Sequence, residues 1–225
     1  MRRRIILTED GSHSIEIPEL GVTYHSIHGA IQESKHVFIE AGLHKAYPSR
    51  QWDGMRIFEV GFGTGLNALL TLLELERSGI GTYYETIEPL PLTVPEIVPL
   101  NFCEQLHRND LKLTFEKLHS CDWEQEVSIT ANFIFKKINA DVLNFQSSGS
   151  FDLIYFDAFD PKAQPELWTK KIFDKMFAML AVSGVLVTYS SKGEVRRVMQ
   201  AAGFEVEKIA GPPGKREIVR AVKVR

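Results

Sequence analysis

The stretch Arg56-Ile-Phe-Glu-Val-Gly-Phe-Gly-Thr-Gly-Leu-Asn67 constrains the chain more than any other. Ile57, Phe58 and Val60 form a short apolar run that reads as a strand. Gly61, Gly63 and Gly65 then allow a sharp turn and the close approach of a ligand to the backbone. Leu66, Leu69, Leu70, Leu72, Leu73 and Leu75 continue as a helix buried around most of its circumference. A strand, a glycine turn and a helix in this order suit a nucleotide-like ligand at the carboxyl end of the first strand of an α/β sheet. The alternative is an ordinary strand-loop-helix.

Details of the turn narrow the ligand. A dinucleotide fold reads Gly-x-Gly-x-x-Gly, whereas Gly61-Phe-Gly-Thr-Gly-Leu66 carries its third glycine one place early. Glu59 stands two places before the first glycine, where it suits a cationic ligand better than a pyrophosphate. Both points disfavour NAD and FAD and favour S-adenosylmethionine, which carries a sulfonium and an ammonium but no phosphate. Glu59, Gly61, Gly63, Gly65 and Asn67 are therefore the expected cofactor contacts in this loop. Glu88 ends the next apolar run, Thr82 to Ile87, where an acidic side chain can accept from both ribose hydroxyls. Asp141, after the run Asn132 to Ile138, is placed to accept the exocyclic amine of adenine, with Val142 or Leu143 against the ring. A solvated glutamate and a simple turn aspartate are the competing readings of those two acids.

The run Phe151-Asp-Leu-Ile-Tyr-Phe156 delivers Asp157-Ala-Phe-Asp-Pro161 to the same edge of the sheet, where chemistry collects in open α/β folds. Asp157 is the expected catalytic residue, with Asp160 as competitor and a strand-end cap as the plainer reading. Phe159 and Trp168 could stack on an extruded base or could simply be core. Tyr189, at the end of the run Gly184 to Tyr189, could line the same pocket. The remaining segments read as a helix over Pro95 to His107, an irregular stretch to Ala131, and a helix from Pro165 through Leu180. Another helix over Lys192 to Ala202 leads to a closing antiparallel pair around Gly211-Pro-Pro-Gly214.

The short β-like runs Ile5 to Leu7, Ser14 to Ile17 and Val22 to Tyr24 precede a helical piece from Ile31 to His44, so residues 1–47 read as a small β-rich N-terminal appendage. Residues 48–225 read as one Rossmann-like domain with a mostly parallel sheet and an antiparallel last strand. The element order is that of the class I methyltransferase fold. Five of the seven histidines fall in the appendage, but His25 and His28 lack the spacing and partners of a metal site, and no metal is expected. Two cysteines give no disulfide framework, and no apolar run reaches transmembrane length, so a cytoplasmic protein is expected. The formal charge of -3 argues weakly against nucleic acid, yet basic residues gather at both ends, including Lys215 and Arg216.

Several ordered motifs carry a more specific resemblance: Gly11-Ser-His-Ser14, Tyr24-His-Ser26, Glu33-Ser-Lys-His-Val-Phe38, the glycine loop, Glu88-Pro-Leu-Pro-Leu92, Asp157-Ala-Phe-Asp-Pro161, Leu167-Trp168 and Gly214-Lys-Arg-Glu217. Together they resemble the methyltransferase half of the bacterial bifunctional tRNA-modification family MnmC. The resemblance implies methyl transfer from S-adenosylmethionine to the aminomethyl nitrogen of 5-aminomethyl-2-thiouridine at the tRNA wobble position. For a nucleic-acid substrate, Phe159, Trp168 and Tyr189 are the candidate base contacts, and Lys215 and Arg216 with Arg196, Arg197 and Arg220 could form a phosphate-binding face, scattered surface cations being the alternative. The FAD-dependent oxidase half of that family is not in this sequence, so no FAD is expected, and a separate enzyme or another route is the expected source of the amine. Gly211-Pro-Pro-Gly214 departs from the family, which more often places an aromatic between those glycines. A small-molecule amine methyltransferase, an aminopropyltransferase and a non-catalytic cofactor-binding, RNA-associated module are the rival readings.

Overall fold

The computed structural model describes residues 2–47, 54–76, 78–147 and 149–224. Its centre is an eight-stranded sheet in the order β10-β11-β9-β8-β4-β5-β7-β6. The strands are β4 (Met55–Val60), β5 (Thr82–Ile87), β6 (Glu126–Thr130), β7 (Phe133–Ile138), β8 (Phe151–Phe156), β9 (Leu180–Thr188), β10 (Glu205–Ala210) and β11 (Glu217–Val222). Strands β7, β5, β4, β8 and β9 run parallel, while β11 lies antiparallel between β9 and β10, and β6 is antiparallel at the other edge. This is the expected class I methyltransferase arrangement.

Strand alternation explains why both faces are covered. Ile57, Tyr84, Phe135, Leu153, Tyr155 and Val187 point into one core, together with helix Leu66–Leu75 and Phe115 of helix Lys112–Ser120. Phe58, Val60, Ile87, Ile154, Phe156 and Leu186 point into the other, against helices Lys170–Met179 and Gly193–Ala201. The topological break falls between β4, which starts the parallel series, and β8. Both strands end at the glycine turn, where Asp157 N–H donates to the Val60 carbonyl at 3.0 Å and Gly61 N–H to that of Ile87 at 3.0 Å.

The N-terminal runs form a three-stranded antiparallel sheet, β1 (Arg4–Leu7), β2 (His13–Ile17) and β3 (Val22–Thr23). A continuous helical stretch follows, α-helical over Ala30–Ser34, π-helical over Lys35–Leu43 and closed by a turn at His44–Ala46. Its Val37, Phe38, Ile39 and Leu43 sit in the same core as Ile57 and Tyr155. The boundary expected at residue 48 falls within 48–53, outside the described residues.

Three local expectations are corrected. The helix expected over Pro95 to His107 is two short helices, Val94–Ile97 and Phe102–Gln105. Pro99 has no N–H to give a helix, so the first helix stops just short of it. The break is used: Asn101 accepts from His13 N–H at 2.8 Å and donates to the Gly11 carbonyl at 2.9 Å, fastening the small sheet to the large one. The stretch before Ala131 is not irregular but holds helix Lys112–Ser120 and edge strand β6, in which Ile129 alone is buried, so its alternation is faint. The helix expected to run through Leu180 is a 3-10 turn, Pro165–Trp168, then helix Lys170–Met179, and Leu180 already belongs to β9.

Because Phe38 is 1% exposed and its ring lies 5.2 Å from that of Tyr155, Phe38→Ala is expected to cost the whole protein about 3–5 kcal/mol. Urea unfolding should show one transition at lower denaturant. A separate small transition, with the main one unmoved, would mean that the N-terminal segment folds on its own.

Candidate active site

The cavity at the carboxyl ends of β4, β5 and β8 has about 990 Å³ of free space, its open mouth included. Gly61, Gly63, Asn67, Glu88, Asp157 and Phe159 line it, with Asp141 at one end. Gly61 is obligatory on two counts: its φ is +92°, and a Cβ there would lie 2.7 Å from the Asp157 carbonyl oxygen. That close approach lets the loop and the Asp157 segment share one wall.

Asn67, 3% exposed, is the junction of the site. Its Nδ2 donates to Glu59 Oε1 at 3.1 Å and to Asp157 Oδ2 at 2.9 Å. An amide nitrogen has two hydrogens, so both are consumed. The reversed amide would set its oxygen against the Asp157 carboxylate oxygen, which disfavours it. Oδ1 is then left buried with no hydrogen-bond partner, on a residue of the cavity wall. Such an orphan calls for a donor from a ligand.

Glu59 is wholly buried beneath the loop and reaches the cavity through Asn67, its Oε2 accepting from Thr86 at 2.9 Å. Burial first, and the charge of Asp157 second, push its carboxyl up to about 8. Burial and then the charge of Glu33 raise Asp157 to about 7. Glu88 accepts from Gly63 N–H at 3.1 Å and Leu90 N–H at 2.9 Å, and burial raises its proton affinity. Asp141 closes its own turn by accepting from Leu143 N–H at 2.8 Å.

The other expected residues divide. Phe159 stands edge-on to Tyr24 with ring centres 5.1 Å apart, whereas Trp168 is behind it, donating to the Phe159 carbonyl at 2.8 Å and packing on Phe156. Tyr189 braces the wall from the side, its hydroxyl donating to the Ala158 carbonyl at 2.8 Å. Gly65 starts the helix behind the loop. Asp160 is turned outward in an ion pair with Lys192 at 2.6 Å, which holds it below the ordinary carboxylate range despite partial burial. It does not line the cavity with Asp157. Lys215 points inward to Glu33, while Arg216 is exposed.

Sequence reasoning missed the residues that hold the loop from outside. His25 Nε2 meets Thr64 Oγ1 at 2.6 Å, and His119 Nε2 meets the Thr64 carbonyl at 3.1 Å, with burial holding both imidazoles near 4. Tyr24-His-Ser26 carried the only signal, as a motif of resemblance. The described residues contain no cluster of three or more His, Cys, Asp or Glu able to hold a metal.

A family profile described as "S-adenosyl-L-methionine-dependent methyltransferase" matches residues 101–224, more than half of the chain. The chain belongs to that family. Among curated relatives, the tRNA 5-methylaminomethyl-2-thiouridine biosynthesis bifunctional protein MnmC of Methylobacillus flagellatus is 31% identical over 208 residues, covering 88% of this chain and 32% of that protein. The protein of the same name from Aromatoleum aromaticum is 28% identical, covering 96% of this chain and 35% of that protein. This methyltransferase thus spans about a third of the length of the curated relatives it matches. The crystal structure of MnmC2 from Aquifex aeolicus matches with a TM-score of 0.76 at 25% identity, covering 98% of this chain and 70% of that one. Spermidine synthase from Thermotoga maritima, at 14% identity and a TM-score of 0.51, covers 98% of this chain and 69% of its own and shares the fold.

The raised carboxyls make stability fall with pH. Glu59, at about 8 against an ordinary 4.5, binds its proton more tightly when folded, so its contribution is full below 4.5 and lost as pH rises through 8. Asp157, about 7 against 3.8, has the same sign. The two histidines, near 4 against 6.5, oppose this only between those values. From pH 6.5 to 8 the carboxyls dominate, and unfolding free energy should drop by up to about 2 kcal/mol. Glu59→Gln should remove most of that drop in urea titrations at the two pH values; an equal drop in the variant would assign it to another group.

Proposed function

We propose that this methyltransferase methylates the aminomethyl nitrogen of 5-aminomethyl-2-thiouridine at the tRNA wobble position. The reading is supported by the curated relatives, which carry tRNA 5-methylaminomethyl-2-thiouridine biosynthesis in their names, and by one observation of this chain: a cavity-lining carboxyl poised near neutrality.

The residues present fit S-adenosylmethionine. Glu88 is in position for the ribose hydroxyls and Asp141 for the adenine end, while the orphaned Asn67 Oδ1 is an acceptor for an ammonium. When bound, the cofactor supplies an electrophilic methyl on a sulfonium whose sulfur leaves as a neutral thioether. The chain's own contribution is to the amine. Near neutral pH an alkylamine is mostly ammonium and has no lone pair to attack with, so a proton must leave its nitrogen. Asp157 has one oxygen tied to Asn67 and the other free to accept that proton, and a carboxyl near 7 takes and returns it readily. Phe159, at the cavity wall, gives an apolar face for an extruded base, and Tyr24 holds it edge-on. Arranging the reactants in line accounts for much of the remaining barrier, up to roughly 7–11 kcal/mol in favourable cases.

The expected phosphate face shrinks on inspection. Arg220 is paired with Glu207 at 2.6 Å and Lys215 with Glu33, whereas Arg216 and Arg197 are exposed. Arg216 and Arg197 are the tRNA phosphate contacts in this reading. A separate reaction that liberates the primary amine must precede this step. No helix among the described residues is long and apolar enough to cross a membrane. In this reading the enzyme works in the cytoplasm, on its tRNA substrate.

Labelled S-adenosylmethionine and tRNA from cells lacking the gene should give a methylated wobble nucleoside identified by mass spectrometry; label on spermidine or putrescine but not tRNA would overturn the substrate. Asp157→Asn should cut turnover by about 10²–10⁴ while cofactor binding by calorimetry persists. Full turnover in that variant would exclude a proton-accepting role. Arg216→Ala should lower the slope of log binding constant against log salt by about one, and an unchanged slope would remove Arg216 from the phosphate face.

A further inference from the structure

Loop 211–216 joins β10 to β11 and closes on itself: Lys215 N–H donates to the Pro212 carbonyl at 2.9 Å and Gly211 N–H to the Arg216 carbonyl at 3.1 Å. It is pressed onto the N-terminal segment. Gly214 has φ +83°, and a Cβ there would fall 2.0 Å from His28 Cδ2, so only glycine lets the loop sit so low. His28 is itself held by Glu9 at 3.0 Å. In this posture consecutive residues face opposite ways, Arg216 outward and Lys215 inward.

Three contacts define where Lys215 goes. Its side chain is 28% exposed, its Nζ is ion-paired with Glu33 Oε1, and the same Nζ lies 4.0 Å from the centre of the Tyr189 ring. Glu33 is buried, and its second oxygen accepts from Ser26 N–H at 2.7 Å. The Tyr189 hydroxyl in turn donates to the Ala158 carbonyl, next to Asp157. An ammonium enclosed by a buried carboxylate and an aromatic face is a poor phosphate ligand, because leaving for a phosphate would strand the Glu33 charge. The same ammonium is well placed to act on the catalytic carboxyl.

We propose that Lys215 and Glu33 are paired positioning residues of Asp157: the loop carries a cation to the Tyr189 ring, Glu33 holds it there, and the balance of the two charges governs when Asp157 takes a proton. The inference rests on Asp157 being the proton acceptor of the reaction proposed above. The charges act in opposite directions. Glu33 raises the proton affinity of Asp157, second only to burial, and Lys215 lowers it. The other titratable groups around Asp157 are Glu59 of β4, reached through Asn67, Tyr84 of β5 and Tyr189 after β9. On its own loop Asp160 is neutralised by Lys192. Glu59, Tyr84 and Tyr189 have raised proton affinities and enter the neutral range protonated, so Glu33 and Lys215 are the charges left to tune Asp157 there. The pairing also explains why Lys215 and Arg216 are not equivalent, although they are adjacent and both basic.

The test reads the carboxyl itself, without turnover. The full chain is labelled with 13Cγ-aspartate, the Asp157 signal is assigned by its loss in Asp157→Asn, and its midpoint is followed by NMR. Glu33→Gln should lower the midpoint by about one pH unit and Lys215→Met should raise it by about one, with the double variant returning close to the parent. Lys215→Arg, which keeps the charge, should leave it in place and guards against a folding artefact. Midpoints that stay fixed or move together in the two single variants would overturn the pairing. The titration is indifferent to which amine is methylated, so loss of the tRNA reading leaves its result standing.

Discussion

One amide group carries the site. The two hydrogens of Asn67 go to Glu59 and Asp157, carboxyls borne by β4 and by the end of β8, and the bond is possible only because three separate constraints meet. The helix must begin immediately after the glycine turn, which puts Asn67 in its first turn. Gly61 must lack a side chain, or the turn could not approach the Asp157 carbonyl. The parallel register of β4 and β8 must bring both strand ends level, and the Asp157 N–H to Val60 carbonyl bond does so. Alter any one and the amide loses one of its carboxyls, leaving a buried acid short of a hydrogen bond.

The acids gathered here work against folding and for binding. Glu59, Glu88 and Asp157 all bind protons more tightly than free side chains do, and burial is the leading cause in each case. A cavity walled by Glu88 and Asp157, with Glu59 behind Asn67, favours ligands that bring positive charge, and S-adenosylmethionine brings a sulfonium and an ammonium. A pyrophosphate would meet the same groups as repulsion. The fixed amide makes this preference directional, since the Asn67 oxygen is the atom left without a partner. Function is thus written into the site as unsatisfied electrostatics.

Much of this was legible in the residues, and the limits follow from which interactions are local. The strand, glycine turn and helix could be read because glycine conformation and apolar periodicity are properties of a short window; β5 falls on the expected residues for the same reason. Edge strand β6 escaped because one buried residue in five leaves almost no alternation. Glu59 was expected to contact the ligand and lies buried behind Asn67: spacing places a residue on a strand but does not say whether the loop folds over it. Lys215 and Arg216 read alike in sequence. Their separation depends on Gly214 sitting against His28 and on Glu33 lying 182 positions away, neither of which periodicity can encode.

The N-terminal segment gives the same argument at larger scale. As sequence it looks like an addition to a complete α/β unit, because its short strands share no period with the rest. In three dimensions it supplies what the sheet cannot. Arg3 caps the carbonyls of Leu90 and Pro91, at 2.6 and 3.2 Å, just beyond Glu88. His25 grips Thr64 of the glycine loop, Tyr24 props Phe159, and Glu33 receives Lys215. A glycine turn is conformationally free by composition, so it holds a ligand only where its surroundings remove that freedom. Residues from the first 35 do much of that work here, and the same residues meet the loop between β10 and β11. The two ends of the chain therefore close over a site whose chemistry lies in the middle.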